Sequence, residues 1–131
     1  MGYSILASIN KYVYKGENKM EESKILFVDD EINILNSIKR ELRGVFTITT
    51  ANSAEEALEI LQKDRNFAVI VADINMPGMK GSRFLMEVKH IIPEIVRMVL
   101  TGATDIKTLI RAVNDGNIFR FIEKPYSRIL W

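Results

Sequence analysis

Short apolar runs alternate with longer segments of helical period from residue 24 onward. The run at 24–28, KILFV, is typical of a strand that is covered on both faces of a parallel sheet. In the next segment, apolar side chains at 34–42 fall on one helical stripe, and Gly44 follows as a stop signal. This alternation predicts repeated strand–helix units, and therefore a parallel sheet with helices on both faces.

Further apolar runs and helical segments extend the pattern toward the end of the chain. A helix is predicted at 53–63, where Ser53 and Glu56 have capping-box spacing, and two more are predicted at 82–91 and 104–116. The four further strands are VFTITT at 45–50, FAVIVA at 67–72, IVRMVL at 95–100 and IFRFI at 118–122. Five strands with four intervening helices predict a doubly wound α/β sheet with ligand chemistry at the carboxyl ends of its strands.

Composition narrows the classes of function. The 131 residues suffice for one domain, and the formal net charge of +1 gives no electrostatic attraction to nucleic acid or to an anionic membrane. The chain has no Cys, which excludes disulfide scaffolds, Cys zinc sites and thiol nucleophiles and favours a reducing cytoplasm. No apolar run approaches the roughly 18 residues that a membrane helix needs.

Polar side chains follow the predicted strands at one edge of the sheet. Asp29 and Asp30 follow the first strand, Asp73 ends the third, Thr101 ends the fourth, and Lys124 comes just after the fifth. The first, third and fourth strands are neighbours when the topological switch point lies beside the first. We therefore expect these side chains to share one crevice.

The chemistry of this set points to a hard cation and a phosphoryl group. Three carboxylates at close range repel one another unless a cation intervenes, and oxygen ligands without His or Cys suit Mg²⁺. Asp73 is the candidate nucleophile, because a carboxylate at the end of a buried strand is held rigidly and can form an acyl phosphate. Pro77 and Gly78 shape the next loop so that a main-chain carbonyl, that of Asn75, can face the metal. A lone Asp in this position would more often be a turn residue, so the interpretation depends on the whole set.

Four stretches, ILFVDDE, VADINMPGMKG, VLTGATD and FIEKPY, resemble bacterial response-regulator receiver domains of two-component systems, in that family's order, over residues 24 to about 126. The resemblance implies a flavodoxin-like five-stranded sheet of order 2-1-3-4-5. It also implies that Asp73 accepts a phosphoryl group from a histidine kinase. The Mg²⁺ ligands would be Asp29, Asp30, Asp73 and the backbone carbonyl of Asn75.

The resemblance assigns a switch as well. It implies Thr101 as the switch hydroxyl, Lys124 as the partner of the phosphate, and Phe121 as the aromatic that turns inward, reshaping the face around the fourth helix and the fifth strand. Many receivers have Tyr at the position of Phe121. Because Phe has no hydroxyl to hydrogen-bond outside, we hypothesise that its inward state costs less.

Two other functions stay open. A degenerate receiver would act as a binding or dimerisation module without phosphorylation, although the intact acids, Thr101 and Lys124 weigh against it. A hydrolase that releases phosphate through an aspartyl intermediate would usually have a second acid two residues after the nucleophile, where Asn75 stands. The sequence identifies neither the cognate kinase nor the effector domain or protein that receives the signal.

The terminal segments depart from the family pattern. A receiver normally ends with a fifth helix after the Lys-Pro turn, and only YSRILW follows that turn here. Residues 3–14 place Ile5, Leu6, Ile9 and Val13 on one helical stripe, and a polar linker joins them to Met20. We therefore hypothesise that residues 1–19 supply the fifth helix to a receiver domain at 20–131, by circular permutation within a monomer or in a domain-swapped dimer. An expression leader or a simple N-terminal extension is the alternative.

Overall fold

The computed structural model describes residues 24–74, 76–101 and 120–123, and for Ser82, Thr101 and 120–123 it describes the backbone alone. Strands and helices alternate along the chain as the sequence predicts. The elements are β1 (Lys24–Val28), α1 (Ile32–Leu42), β2 (Thr47–Ala51), α2 (Ala54–Lys63), β3 (Val69–Asp73), α3 (Gly81–Ile91), β4 (Val96–Thr101) and β5 (Arg120–Glu123). The helix predicted at 104–116 lies outside the described residues.

The strands form one parallel sheet in the order β2-β1-β3-β4-β5. The predicted doubly wound α/β fold is therefore confirmed. The order reverses direction between β1 and β3, because β2 lies on one side of β1 and β3 on the other. This is the switch point at which open α/β sheets leave a crevice between neighbouring connections.

Three strands, β2, β3 and β4, begin later than the sequence predicts. The apolar runs at 45–50 and 67–72 include Phe46 and Phe67, which precede β2 and β3 and are nevertheless buried. Apolar side chains mark burial rather than backbone pairing, so a run can begin in the turn before its strand. A shift of one residue moves β4 to Val96–Thr101, and the described residues of the fifth strand are Arg120–Glu123.

Two apolar clusters cover the two faces of the sheet. The first joins α2 and α3 to alternate residues of the central strands, among them Leu26, Ile70 and Val99. The second joins α1 to the residues that point the other way, such as Phe27, Val71 and Met98. Because the central strands are buried on both faces, they read as continuous apolar runs in the sequence.

Local signals in the sequence fix the ends of two helices. The Ser53 hydroxyl accepts from the Glu56 N–H at 3.0 Å, and Glu56 Oε1 accepts from the Asn52 N–H at 2.7 Å, so the predicted capping box is present. Gly44 follows α1 with φ of 83°, a left-handed conformation that suits glycine.

An ion pair lies at the amino edge of the sheet, where β1 begins. Lys24 pairs with Asp64, and its ammonium lies 4.7 Å from the centre of the Phe67 ring. The hydrogen bond from Lys24 lowers the pKa of Asp64 below its ordinary value of 3.8. Any stability that this pair contributes is therefore present above that value and is lost as the pH falls through the lowered pKa.

Among the helices of residues 24–101, none combines the length and the apolar character that crossing a bilayer requires.

The second cluster raises the question of what lies beside α1. Of the described helices, only α1 contributes to this cluster, although Met98 and Leu100 on β4 are fully buried in it. A helix is about 10 Å wide and strands are about 4.8 Å apart, so one helix covers roughly two strands. Residues 3–14, the segment predicted to supply a fifth helix, lie outside the described residues, and their packing on this face stays a prediction.

Replacing Ile9 by Asp tests the packing of this segment. An isoleucine buried in the cluster stabilises the fold by about 1.5–3 kcal/mol, so Ile9→Asp is expected to lower the melting temperature by several degrees. Ser8→Asp, which adds the same charge off the stripe, serves as the matched control and is expected to change little. Equal melting temperatures for the two variants, or an unchanged one after deletion of residues 1–15, would mean that this segment does not pack on the domain. A concentration-dependent mass would indicate the swapped dimer.

Candidate functional site

Three aspartates meet at the carboxyl edge of the sheet. Asp29, Asp30 and Asp73 each offer a carboxylate oxygen, and these oxygens lie within 4.8 Å of one another. Asp29 and Asp73 are 0% and 3% exposed, whereas Asp30 is exposed. These three residues are called the acidic trio below. Two buried carboxylates thus lie beside a third that is open to solvent.

The sheet register brings the trio together. Val28 of β1 pairs with Ala72 of β3, so the residues that follow this pair, Asp29 just after β1 and Asp73 at the end of β3, lie at the same level of the sheet. Asp29 Oδ1 accepts a hydrogen bond from the Glu31 N–H at 2.9 Å, an Asx turn that leads the chain into α1. This bond also fixes the orientation of the Asp29 carboxylate.

The loop after Asp73 is held against the sheet. The Ile74 N–H donates to the Leu100 carbonyl of β4 at 3.0 Å, and both Ile74 and Met76 are buried. Gly78 has φ of 80°, so the turn expected after Pro77 uses the left-handed conformation that glycine permits. The strand end that carries Asp73 is thus fixed by pairing on one side and by a packed loop on the other.

The electrostatics of the trio favour a divalent cation. Carboxylate oxygens within 4.8 Å of one another repel when the groups are ionised, and water shields this repulsion poorly where two of the three residues are buried. Oxygen ligands of this kind match the preference of Mg²⁺, which usually binds through one or two carboxylates and keeps several waters. The donor set therefore fits Mg²⁺ and offers no softer ligand.

The remaining predicted site residues are placed only in part. Thr101 ends β4 and its backbone pairs with Glu123, while the backbone of Phe121 pairs with Val99. Thr101 is thus one residue beyond Leu100, the partner of Asp73 in the ladder. Asn75 and Lys124 lie outside the described residues.

Arg97 is a buried charge that the apolar pattern of β4 did not indicate. It is 1% exposed, and its guanidinium donates to the carbonyl oxygens of Pro93 at 3.3 Å and Ile95 at 3.0 Å. Burial lowers its pKa. These bonds brace the turn before β4, at the opposite edge from the trio. The only signal in the sequence was a single Arg inside an otherwise apolar central strand.

Gly81, the first residue of α3, was also not singled out in the sequence. It is buried, and its N–H donates to the Ile74 carbonyl at 3.2 Å. A glycine at the start of an amphipathic helix gives no sign of a close contact, because its partner is backbone from another element. His90, by contrast, is exposed near the end of α3.

Comparison with known protein families gives a match that covers most of the chain. Residues 25–129 match the response regulator receiver domain family. The chain belongs to this family. It therefore carries a phosphoacceptor module of two-component signalling, in a family that binds Mg²⁺ at its acidic pocket and interacts with histidine kinases. A receiver domain is not by itself an enzyme family.

Individual relatives agree with this family. The hydrogenase transcriptional regulatory protein HoxA of Cupriavidus necator is 39% identical over 106 residues, which are 81% of this chain and 22% of HoxA. An adenylate cyclase structure from Rhodopirellula baltica is 42% identical with a TM-score of 0.74, covering 79% of this chain and 77% of that one. A receiver domain structure from Clostridium thermocellum is 36% identical with a TM-score of 0.71, covering 79% and 82%. The chain thus spans about a fifth of the curated relatives that it matches.

Neutralising the exposed member of the trio is predicted to have opposite effects with and without metal. In the presence of a chelator, Asp30→Asn should raise the free energy of unfolding by on the order of 1 kcal/mol, because a repulsion is removed. With Mg²⁺ in excess, wild type should have the higher free energy of unfolding, because it gains more from binding the ion than Asp30→Asn does. Urea unfolding under both conditions measures the effect.

Glu59→Gln is the control for Asp30→Asn, since Glu59 is an exposed carboxylate on α2 outside the trio. Glu59→Gln should leave the urea unfolding curve almost unchanged, both with chelator and with Mg²⁺. If Asp30→Asn behaved like Glu59→Gln in both conditions, repulsion within the trio would have no energetic weight.

Proposed function

We propose that Asp73 is the phosphoacceptor of this receiver and that it takes a phosphoryl group from a phosphohistidine of a histidine kinase. The observation that carries the proposal is the acidic trio, in which a buried Asp73 ends β3 beside two further carboxylates. Asp29, Asp30, Asp73 and the Asn75 carbonyl are the proposed Mg²⁺ ligands. When bound, the ion neutralises charge on the phosphoryl oxygens.

The proposed transfer is an in-line displacement at phosphorus. A carboxylate oxygen of Asp73 forms the new P–O bond while the P–N bond of the phosphohistidine breaks. The electron pair of that bond stays on the imidazole nitrogen, which takes up a proton from solvent. The product on this chain is an acyl phosphate, and the fixed end of β3 holds the attacking oxygen in place.

We propose that three further residues respond to the phosphoryl group on Asp73, namely Thr101, Lys124 and Phe121. Thr101 follows Leu100, which pairs with Asp73, so its position at the end of β4 is next to the strand that carries the acceptor. We propose that its hydroxyl and the Lys124 ammonium contact the phosphoryl group. Phe121 on β5 pairs with Val99 on β4. We propose that a shift of the end of β4 is passed to Phe121 through this pairing.

We propose that the signal passes to an effector domain or an effector protein. HoxA is named as a transcriptional regulator and the Rhodopirellula baltica protein as an adenylate cyclase, so related receivers serve different outputs. We propose a cytoplasmic module that contacts a histidine kinase and one effector domain or protein, without binding nucleic acid directly. The face around β5 is the proposed output surface.

Incubation with Mg²⁺ and acetyl phosphate tests the acceptor role. Wild type is expected to gain the mass of one phosphoryl group, and Asp73→Asn is expected to gain none, because the amide is not a nucleophile. Intact-protein mass spectrometry measures the gain. Asp64→Asn, at the opposite edge of the sheet, is the control and should be phosphorylated like wild type.

The same incubation separates the alternatives. No mass gain in wild type would favour a phosphorylation-independent binding or dimerisation module. Release of many phosphates per chain would favour a hydrolase. A gain that persists in Asp73→Asn would place the acceptor elsewhere.

Phe121→Tyr tests whether the missing hydroxyl eases the switch. Backbone amide NMR shifts of phosphorylated and unphosphorylated protein define the two ends of the transition. We expect the shifts of unphosphorylated wild type to be closer to those of the phosphorylated protein than the shifts of unphosphorylated Phe121→Tyr are. The reason is that the Tyr hydroxyl can hydrogen-bond in the outward state and so stabilise it. Identical shifts for the two unphosphorylated proteins would show that the hydroxyl is irrelevant. Adding Thr101→Ala to either protein should reduce the change in shifts on phosphorylation.

A further inference from the structure

The first residue of α3 lies against the backbone of the strand end that carries Asp73. A Cβ atom on Gly81 would stand 2.3 Å from the Asp73 carbonyl oxygen and 2.7 Å from the Ile74 Cα. Packed heavy atoms do not approach one another this closely, and both neighbours are main-chain atoms that cannot rotate away as a side chain can. Only glycine permits α3 to begin here.

A hydrogen bond accompanies this contact. The Gly81 N–H donates to the Ile74 carbonyl at 3.2 Å, while the Ile74 N–H donates to the Leu100 carbonyl at 3.0 Å on the other side. The main chain just after Asp73 is thus held between α3 and β4. Any displacement of this segment moves the Cα atom from which the Asp73 carboxylate projects.

We propose that Gly81 is a positioning residue for phosphoryl transfer, seating α3 on the main chain at Asp73 and Ile74 and so fixing the Asp73 carboxylate relative to the rest of the acidic trio. This inference rests on the proposed role of Asp73 and deepens it. A side chain at position 81 forces α3 and the strand end apart. Transfer slows because in-line attack requires exact placement of the attacking oxygen, and Mg²⁺ binding weakens because the spacing of the carboxylates changes.

Gly44 supplies a control that separates positioning from stability. Its φ of 83° makes Gly44→Ala strained, yet a Cβ there would meet nothing within 4 Å. Gly44 follows the far end of α1, an 11-residue helix that is about 16 Å long and begins beside the trio. Gly44→Ala therefore destabilises the fold far from the site.

The experiment compares phosphorylation rates of wild type, Gly81→Ala and Gly44→Ala with saturating acetyl phosphate and Mg²⁺, after circular dichroism has confirmed folding. Gly81→Ala is expected to slow the reaction on the order of 10-fold or more, and Gly44→Ala to stay within about twofold of wild type. Calorimetry should show weaker Mg²⁺ binding for Gly81→Ala alone.

Rates and Mg²⁺ affinities of Gly81→Ala that match those of Gly44→Ala would overturn the inference. Wild type that accepts no phosphoryl group would instead overturn the proposed function, so the two failures are distinguishable.

A second pair of variants applies if Gly81→Ala does not fold. Phe84 and Val88 are both fully buried on α3, but Phe84 is in its first turn and Val88 is one turn further from Asp73. Phe84→Leu is expected to slow phosphorylation more than Val88→Ala, because it loosens the start of the helix. Equal rates for these two variants would also overturn the inference.

Discussion

Repulsion among three carboxylates held within 4.8 Å is the constraint on which the rest of the site depends. In an unfolded chain such groups separate freely, so the fold must hold them together against their mutual field. Two of them are buried, which removes the water that would otherwise weaken that field. The arrangement makes sense in a protein that presents the site to a divalent cation and a phosphoryl group.

Rigid support for this site comes from ordinary elements of the fold. The ladder between β1 and β3 sets Asp29 beside Asp73, and the Asx turn at Glu31 orients the first carboxylate. Apolar clusters on both faces hold the central strands in place. The main chain after Asp73 is then bonded on one side to β4 and on the other to the start of α3. The strands that carry the charged site are thus held by burial on both faces and by backbone hydrogen bonds.

Much of the fold could be predicted from local patterns. The apolar stripe of α1, the capping box at Ser53 and the glycine after α1 each act within a few residues of sequence, so the sequence carried them directly. The starts of β2 and β3 were misplaced by two residues, because Phe46 and Phe67 are buried ahead of these strands. A residue that is only buried and a residue that is paired in the sheet are both apolar in the sequence. Only the observed strand register distinguishes the two.

The sequence alone indicated which groups stand at the ends of the strands, because each apolar run stops within one residue of the end of its strand. Strand order and register decided that Asp29, Asp30 and Asp73 meet, since residues far apart in sequence become neighbours only through the ladder. The tertiary structure alone decided the roles of Arg97 and Gly81. The carbonyl oxygens that accept from Arg97 and the main-chain atoms that lie against Gly81 are placed by packing, and they leave no mark on the residue types nearby.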